Sequence, residues 1–102
     1  IENIVYLELL HRGFIVDIGK NDQKEIDFVA RNMKDTYYIQ VSYTLINENT
    51  RERELGSFKK LDDGYKKIVI TMDDDPFTDL GNGYKKINML DFLLNESALK
   101  EA

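Results

Sequence analysis

The stretch EIDFVARNMKDTYYIQVS, Glu25 to Ser42, decides how this chain folds. Two runs rich in β-branched and aromatic residues, Glu25–Ala30 and Tyr37–Tyr43, flank a polar segment, Arg31–Asp35, and so predict two strands joined by a short turn. In the second run Tyr37, Ile39, Val41 and Tyr43 share one face, and Tyr38, Gln40 and Ser42 share the other. Asp27 stands inside the first apolar run and Gln40 and Ser42 inside the second. Polar groups in buried strands need partners, so this stretch marks a candidate site as well as a sheet.

Working outward, Ile1–Arg12 is dense in Ile, Leu and Val and ends at Gly13, which predicts a helix with a glycine stop. Its apolar residues lie on nearly all sides, so cover on more than one face is expected. Phe14–Ile18 reads as a strand and Gly19–Gln23 as a turn. Asn49 with Glu52 has capping-box spacing and predicts a helix from Thr50 to about Leu61. Lys67–Met72 reads as a buried strand, Asp73–Gly83 as a long polar loop, Tyr84–Asn88 as a short strand, and Leu90–Leu94 as the start of a last helix. Three sequential strands with short turns form an antiparallel meander, and a helical crossover then sets the fourth strand parallel to the third. The expectation is one α/β domain, residues 1–102, with a mixed central sheet of about five strands flanked by helices.

Composition narrows the function. The chain has 102 residues, 42% hydrophobic and 32% charged, as in ordinary globular domains. It has no cysteine, which excludes disulfides, thiolate metal sites and cysteine nucleophiles, and suits a reducing, cytoplasmic setting. No apolar run approaches membrane-span length. The formal net charge of −5 argues against strong nonspecific binding to nucleic acid. The chain opens on Ile1, inside an apolar segment, which suggests a piece of a longer protein with a partner domain upstream. His11, the single histidine, sits beside Arg12 at the helix end and is expected to complement its dipole or face solvent. The run Asp73–Asp74–Asp75 before Pro76 reads as a solvated turn.

Glu2 lies on the first helix beside Val5, Tyr6 and Leu9, so four polar groups from three elements are expected to converge: Glu2, Asp27, Gln40 and Ser42. Plainer roles exist for each. Glu2 would pair with Arg51, Asp27 would accept hydrogen bonds from a helix terminus, and Gln40 and Ser42 would satisfy each other or Asp27.

This order of residues resembles the PD-(D/E)XK superfamily of restriction-endonuclease-like nucleases. Glu2 stands eleven residues before Gly13, as a helix glutamate does in Holliday-junction-resolvase-like members. EIDFVA resembles their aspartate strand, and YYIQVS their tripeptide strand, with Gln40 at the acidic position and Ser42 where a lysine belongs. The longer set ENIVYLELLHRGF, KEIDFVA, YYIQVSY, TRERELGSF, KIVITMDD and KKINMLDFLL resembles the C-terminal domain of a large group of bacterial and archaeal AAA-type ATPases. No G-x-x-x-x-G-K-[ST] occurs here, so ATP chemistry would belong to an upstream half of the same polypeptide.

The resemblance implies a restriction-endonuclease-like sandwich and a Mg2+ or Mn2+ site on Asp27, Gln40 and the Val41 carbonyl, with Glu2 reaching the metal through water. Magnesium takes oxygen ligands, commonly one or two carboxylates with waters. Arg51, one turn before Leu55, is the candidate for the missing cation, since that lysine relocates to a helix in some members. Arginine stays protonated, so it would stabilise charge without acting as a base. Lys24, at the start of its strand, is less well placed. Tyr38 would pack in its strand or line a groove and stack on a base. The resemblance leaves three functions open: a degenerate domain that binds DNA or a partner, an active metal-dependent endonuclease, and a structural domain for homo-oligomer assembly.

Overall fold

The computed structural model describes residues 2–19, 26–60, 64–74 and 78–102. Helix α1 (Glu2–His11) leads into β1 (Ile15–Ile18), β2 (Phe28–Arg31) and β3 (Thr36–Val41). Helix α2 (Glu48–Gly56) and a 3₁₀ turn (Phe58–Lys60) cross to β4 (Lys66–Thr71), followed by β5 (Thr78–Gly81), β6 (Tyr84–Asn88), α3 (Met89–Leu94) and α4 (Ala98–Glu101). The six strands lie in the order β1-β2-β3-β4-β6-β5. The predicted antiparallel meander is present, with Phe28 opposite Ile39, and β4 runs parallel to β3, with Gln40 beside Val69. A mixed α/β sheet was therefore legible from the sequence.

Alternation along the strands divides the core into two layers. Ile39, Ile68, Ile70 and Ile87 meet Val5 and Leu9 of α1, Met89 and Phe92 of α3, and Leu99 of α4. On the opposite side Val69 and Tyr84 meet Phe58 of the 3₁₀ turn, with Leu55 of α2 packed against them. Ile68, Val69 and Ile70 are each fully buried, so β4 is covered from both sides. Burying one such side chain contributes about 1.5–3 kcal/mol, which explains why the strand reads as an unbroken apolar run.

Three expectations change. Residues 73–83 are not one loop, because Thr78–Gly81 forms the sixth strand, antiparallel to β6. The signal is Asn82–Gly83, a two-residue hairpin turn with φ of 56° and 81° at its two residues. The cap of α2 is Asn47, whose side chain accepts from Thr50 N–H at 3.1 Å, so the helix starts two residues earlier than the Asn49–Glu52 spacing suggests. It also ends earlier, at Gly56. Helix α1 is covered on one side only among the described residues: Val5 and Leu9 are buried, while Ile4, Leu7 and Leu10 are exposed.

Gly83 has open space around it, so its substitution tests backbone conformation alone. Gly83→Ala should lower stability by about 1 kcal/mol in urea unfolding, because a β-carbon at positive φ is strained, while Asn82→Gly should be tolerated.

Candidate functional site

The β2–β3 ladder ends at Phe28 and Ile39, and side chains continue it by one step. Val41 N–H donates to Asp27 Oδ2 at 2.8 Å. Asp27 N–H donates to Gln40 Oε1 at 2.7 Å. Gln40 is buried, and its Nε2 donates to the Glu54 carbonyl of α2 at 3.4 Å, which fixes the direction of the amide. Asp27 and Gln40 thus come together, as the sequence expects, by satisfying backbone donors that the strands leave open. Ser42 follows on the Gln40 face, and its hydroxyl donates to the Thr44 carbonyl at 3.0 Å.

Glu2 is the first residue of α1. The C-terminal end of α1 adjoins Phe14, whose ring meets Tyr37 at the start of β3. Further back along the helix Tyr6 stacks on Phe28, with ring centroids 5.9 Å apart. Glu2 is one turn before Tyr6 on the same helix. It is exposed, and no ion pair joins it to Arg51 among the described residues.

Arg51 departs from expectation. It is exposed on α2 and lines a groove of about 500 Å³ with Leu55, Leu80 and Tyr84, on the β5–β6 side. No ion pair joins Arg51 to Asp27 among the described residues. The reason is helical geometry: α2 meets Gln40 through the Glu54 carbonyl, and Arg51 opens toward β5 and β6. Lys24 lies outside the described residues. Tyr38 is half-buried, with Lys67 Nζ 5.5 Å from its ring centre and Tyr65 6.0 Å away.

Among the described residues no three His, Cys, Asp or Glu side chains are disposed to hold an ion. Asp27 Oδ2 and Gln40 Oε1, two expected ligand atoms, accept backbone N–H groups. What this arrangement can do as it stands is close the ladder and order the chain entering β2.

A second polar cluster escaped the sequence reading. Asp73 is buried, not solvated. Its carboxylate accepts from Thr44 Oγ1 at 2.5 Å, from Leu45 N–H at 3.0 Å and from Lys86 Nζ at 3.4 Å. Its carbonyl accepts from Asn88 Nδ2 at 2.5 Å, and its N–H donates to Thr71 Oγ1 at 3.2 Å. The residue thereby ties together the segments that follow β3 and β4 and the end of β6. Burial alone would raise its pKa. The hydrogen bonds from Thr44 and Leu45, with the Lys86 charge, outweigh that and hold it below the ordinary carboxylate value. Lys86 was the signal, since alternation from Tyr84 and Asn88 points it inward. Asp74 is exposed, and Asp75 and Pro76 lie outside the described residues.

Among known proteins, no family model matches the chain and no solved structure matches it. A Haemophilus influenzae protein described as uncharacterized is 45% identical over 94 residues, covering 92% of this chain and 22% of its own length. The chain therefore spans about a fifth of that relative. No helix among the described residues is long and apolar enough to cross a membrane.

Breaking the Asp73–Lys86 pair leaves an uncompensated buried charge, so Asp73→Ala should lower the unfolding free energy by about 3–5 kcal/mol in urea. Because folding depresses this carboxyl, its contribution is complete above the unfolded value, about pH 4, and is lost as pH falls through the folded value. Asp73→Asn should therefore show a shallower loss of stability on acidification, followed by circular dichroism.

Proposed function

We propose that this chain is a restriction-endonuclease-like domain of the PD-(D/E)XK type, carried by a longer AAA-type ATPase and degenerate in catalysis. It serves to bind its ATPase half, another partner or DNA. The observation that carries the loss of catalysis is the closed pair at Asp27 and Gln40: both side chains direct an oxygen at a backbone N–H. Ser42 stands where the superfamily has a lysine, and its hydroxyl is turned to the Thr44 carbonyl. Arg51 faces another groove.

Support for the fold assignment comes from the order helix, antiparallel meander, helical crossover and parallel strand. A relative more than four times as long as the matched region is consistent with carriage on a larger polypeptide. The net charge of −5 favours a protein surface over DNA as the bound partner. The exposed apolar residues Ile4, Leu7 and Leu10 of α1 favour the same choice, and a second copy of the chain is the competing occupant.

Calorimetric titration with Mg2+ and Mn2+, alongside a plasmid-cleavage assay, tests the reading. Neither cation should bind saturably and the DNA should stay intact. Asp27→Ala should change neither readout, yet should lower stability by about 1–3 kcal/mol, because Val41 N–H loses its acceptor. Metal-dependent cleavage that disappears in Asp27→Ala would establish the active endonuclease instead.

A further inference from the structure

The two edges of the sheet, β1 and β5, are built differently. On β5 the pairing with β6 shifts register between Asp79 and Gly81, and Asp79 is joined to Lys85 at 3.0 Å. Irregular pairing and charge are devices that keep an edge from adding strands. On β1 the pairing with β2 is unbroken from Ile15 to Ile18, and the strand has no lysine or proline. Its one charge, Asp17, is joined to Arg31 at 2.9 Å. Ile15 and Ile18 are 64% and 47% exposed, one on each face of the sheet. The backbone is open as well. One step past the Ile18–Phe28 pair, Gly19 N–H donates to the Asp27 carbonyl at 3.1 Å. Alternation along an antiparallel ladder then turns the N–H and C=O of Ile15 and Asp17 toward β2, and those of Val16 and Ile18 outward. Among the described residues no strand pairs with that outer side.

We propose that β1 pairs antiparallel with β1 of a second copy of the chain, about a two-fold axis at Val16, and joins the two six-stranded sheets into one. A two-fold axis normal to the sheet keeps each face on its own side, so it has to pass through a residue pair and not between pairs. Centres at Val16 and at Asp17 both engage the outward N–H groups of Val16 and Ile18. Charge chooses between them. With Asp17 at the axis, two carboxylates stand directly opposite, which is destabilising. With Val16 at the axis, Asp17 of the second copy comes opposite Ile15, beside a groove of about 360 Å³ whose wall includes Arg31. Each Arg31 then lies between a carboxylate of its own strand and one of the second copy, and its guanidinium has donors for both. On the α1 face the same register sets Val16 against Val16 and Ile18 against Phe14. Helix α1 extends this apolar contact. Tyr6 stacks on Phe28, the ladder partner of Ile18, so its side of the helix faces β1. Leu10, one turn on and 43% exposed, lies on that side. Such a contact closes at two copies and leaves no new edge at the junction. It stands independently of the nuclease-like reading, since it uses neither the Asp27 nor the Gln40 side chain.

Analytical ultracentrifugation of the 102-residue chain over a concentration series should show its mass rising from one chain to two. Ile18→Lys should weaken association about tenfold, because the change falls on both symmetric Ile18–Phe14 pairs, and should leave the circular dichroism spectrum intact. Leu90→Lys makes the same charge change on α3, at a residue 61% exposed, and should leave association as it was. The chain has no cysteine, so introduced thiols report the register. An equimolar mixture of Ile15→Cys and Asp17→Cys chains should cross-link on oxidation, since the two positions stand opposite. Either variant alone should not, because its two thiols sit on a diagonal of about 7–8 Å. A one-chain mass throughout the series would overturn the proposal, as would equal association by the Ile18 and Leu90 variants. Cross-linking by Asp17→Cys alone, or none in the mixture, would overturn the axis at Val16.

Discussion

Strand β4 has to be dry on both faces, and the rest of the fold follows from that constraint. Ile68 and Ile70 point into one layer and Val69 into the other, and none of the three reaches water. One helix layer cannot cover both sides. Helices α1, α3 and α4 take one face, and the crossover through α2 and the 3₁₀ turn places Leu55 and Phe58 on the other. The parallel pairing of β3 with β4 goes with this arrangement, because the helical crossover that joins parallel strands covers a face of the sheet.

A sheet closed on both sides cannot leave polar groups to solvent, so its polar residues gather where strands end. Asp27 and Gln40 finish the β2–β3 ladder. Asp73, Thr44 and Lys86 join the segments leaving the parallel strands. In both places a carboxylate answers backbone N–H groups before it can answer a ligand. Asp27 therefore has a structural role in the sheet whatever else it does.

Much of the architecture was legible because periodicity reports burial directly. The alternation in Tyr37–Tyr43 and the apolar run in Lys67–Met72 gave the central strands and their direction. Local turn chemistry carried a further signal. Asn82–Gly83 carries a hairpin signal, yet the polar residues around it concealed β5 on the sheet edge, where one side needs no apolar cover. Asn47 and Asn49 both suit a helix cap, and their spacing to Glu52 pointed to the wrong one.

The mixed α/β order, the pairing of Asp27 with Gln40 and the serine at position 42 are readable in the chain itself, because each depends on local alternation or on residue identity. Only the tertiary structure decided that Arg51 faces the β5–β6 groove, that Asp73 is buried against Lys86, and that Leu10 of α1 stays exposed. Those outcomes depend on how α1 and α2 are rotated and seated on the sheet. That rotation is set by packing between residues far apart in the chain, such as Phe92 against Arg12 and Glu54 against Gln40.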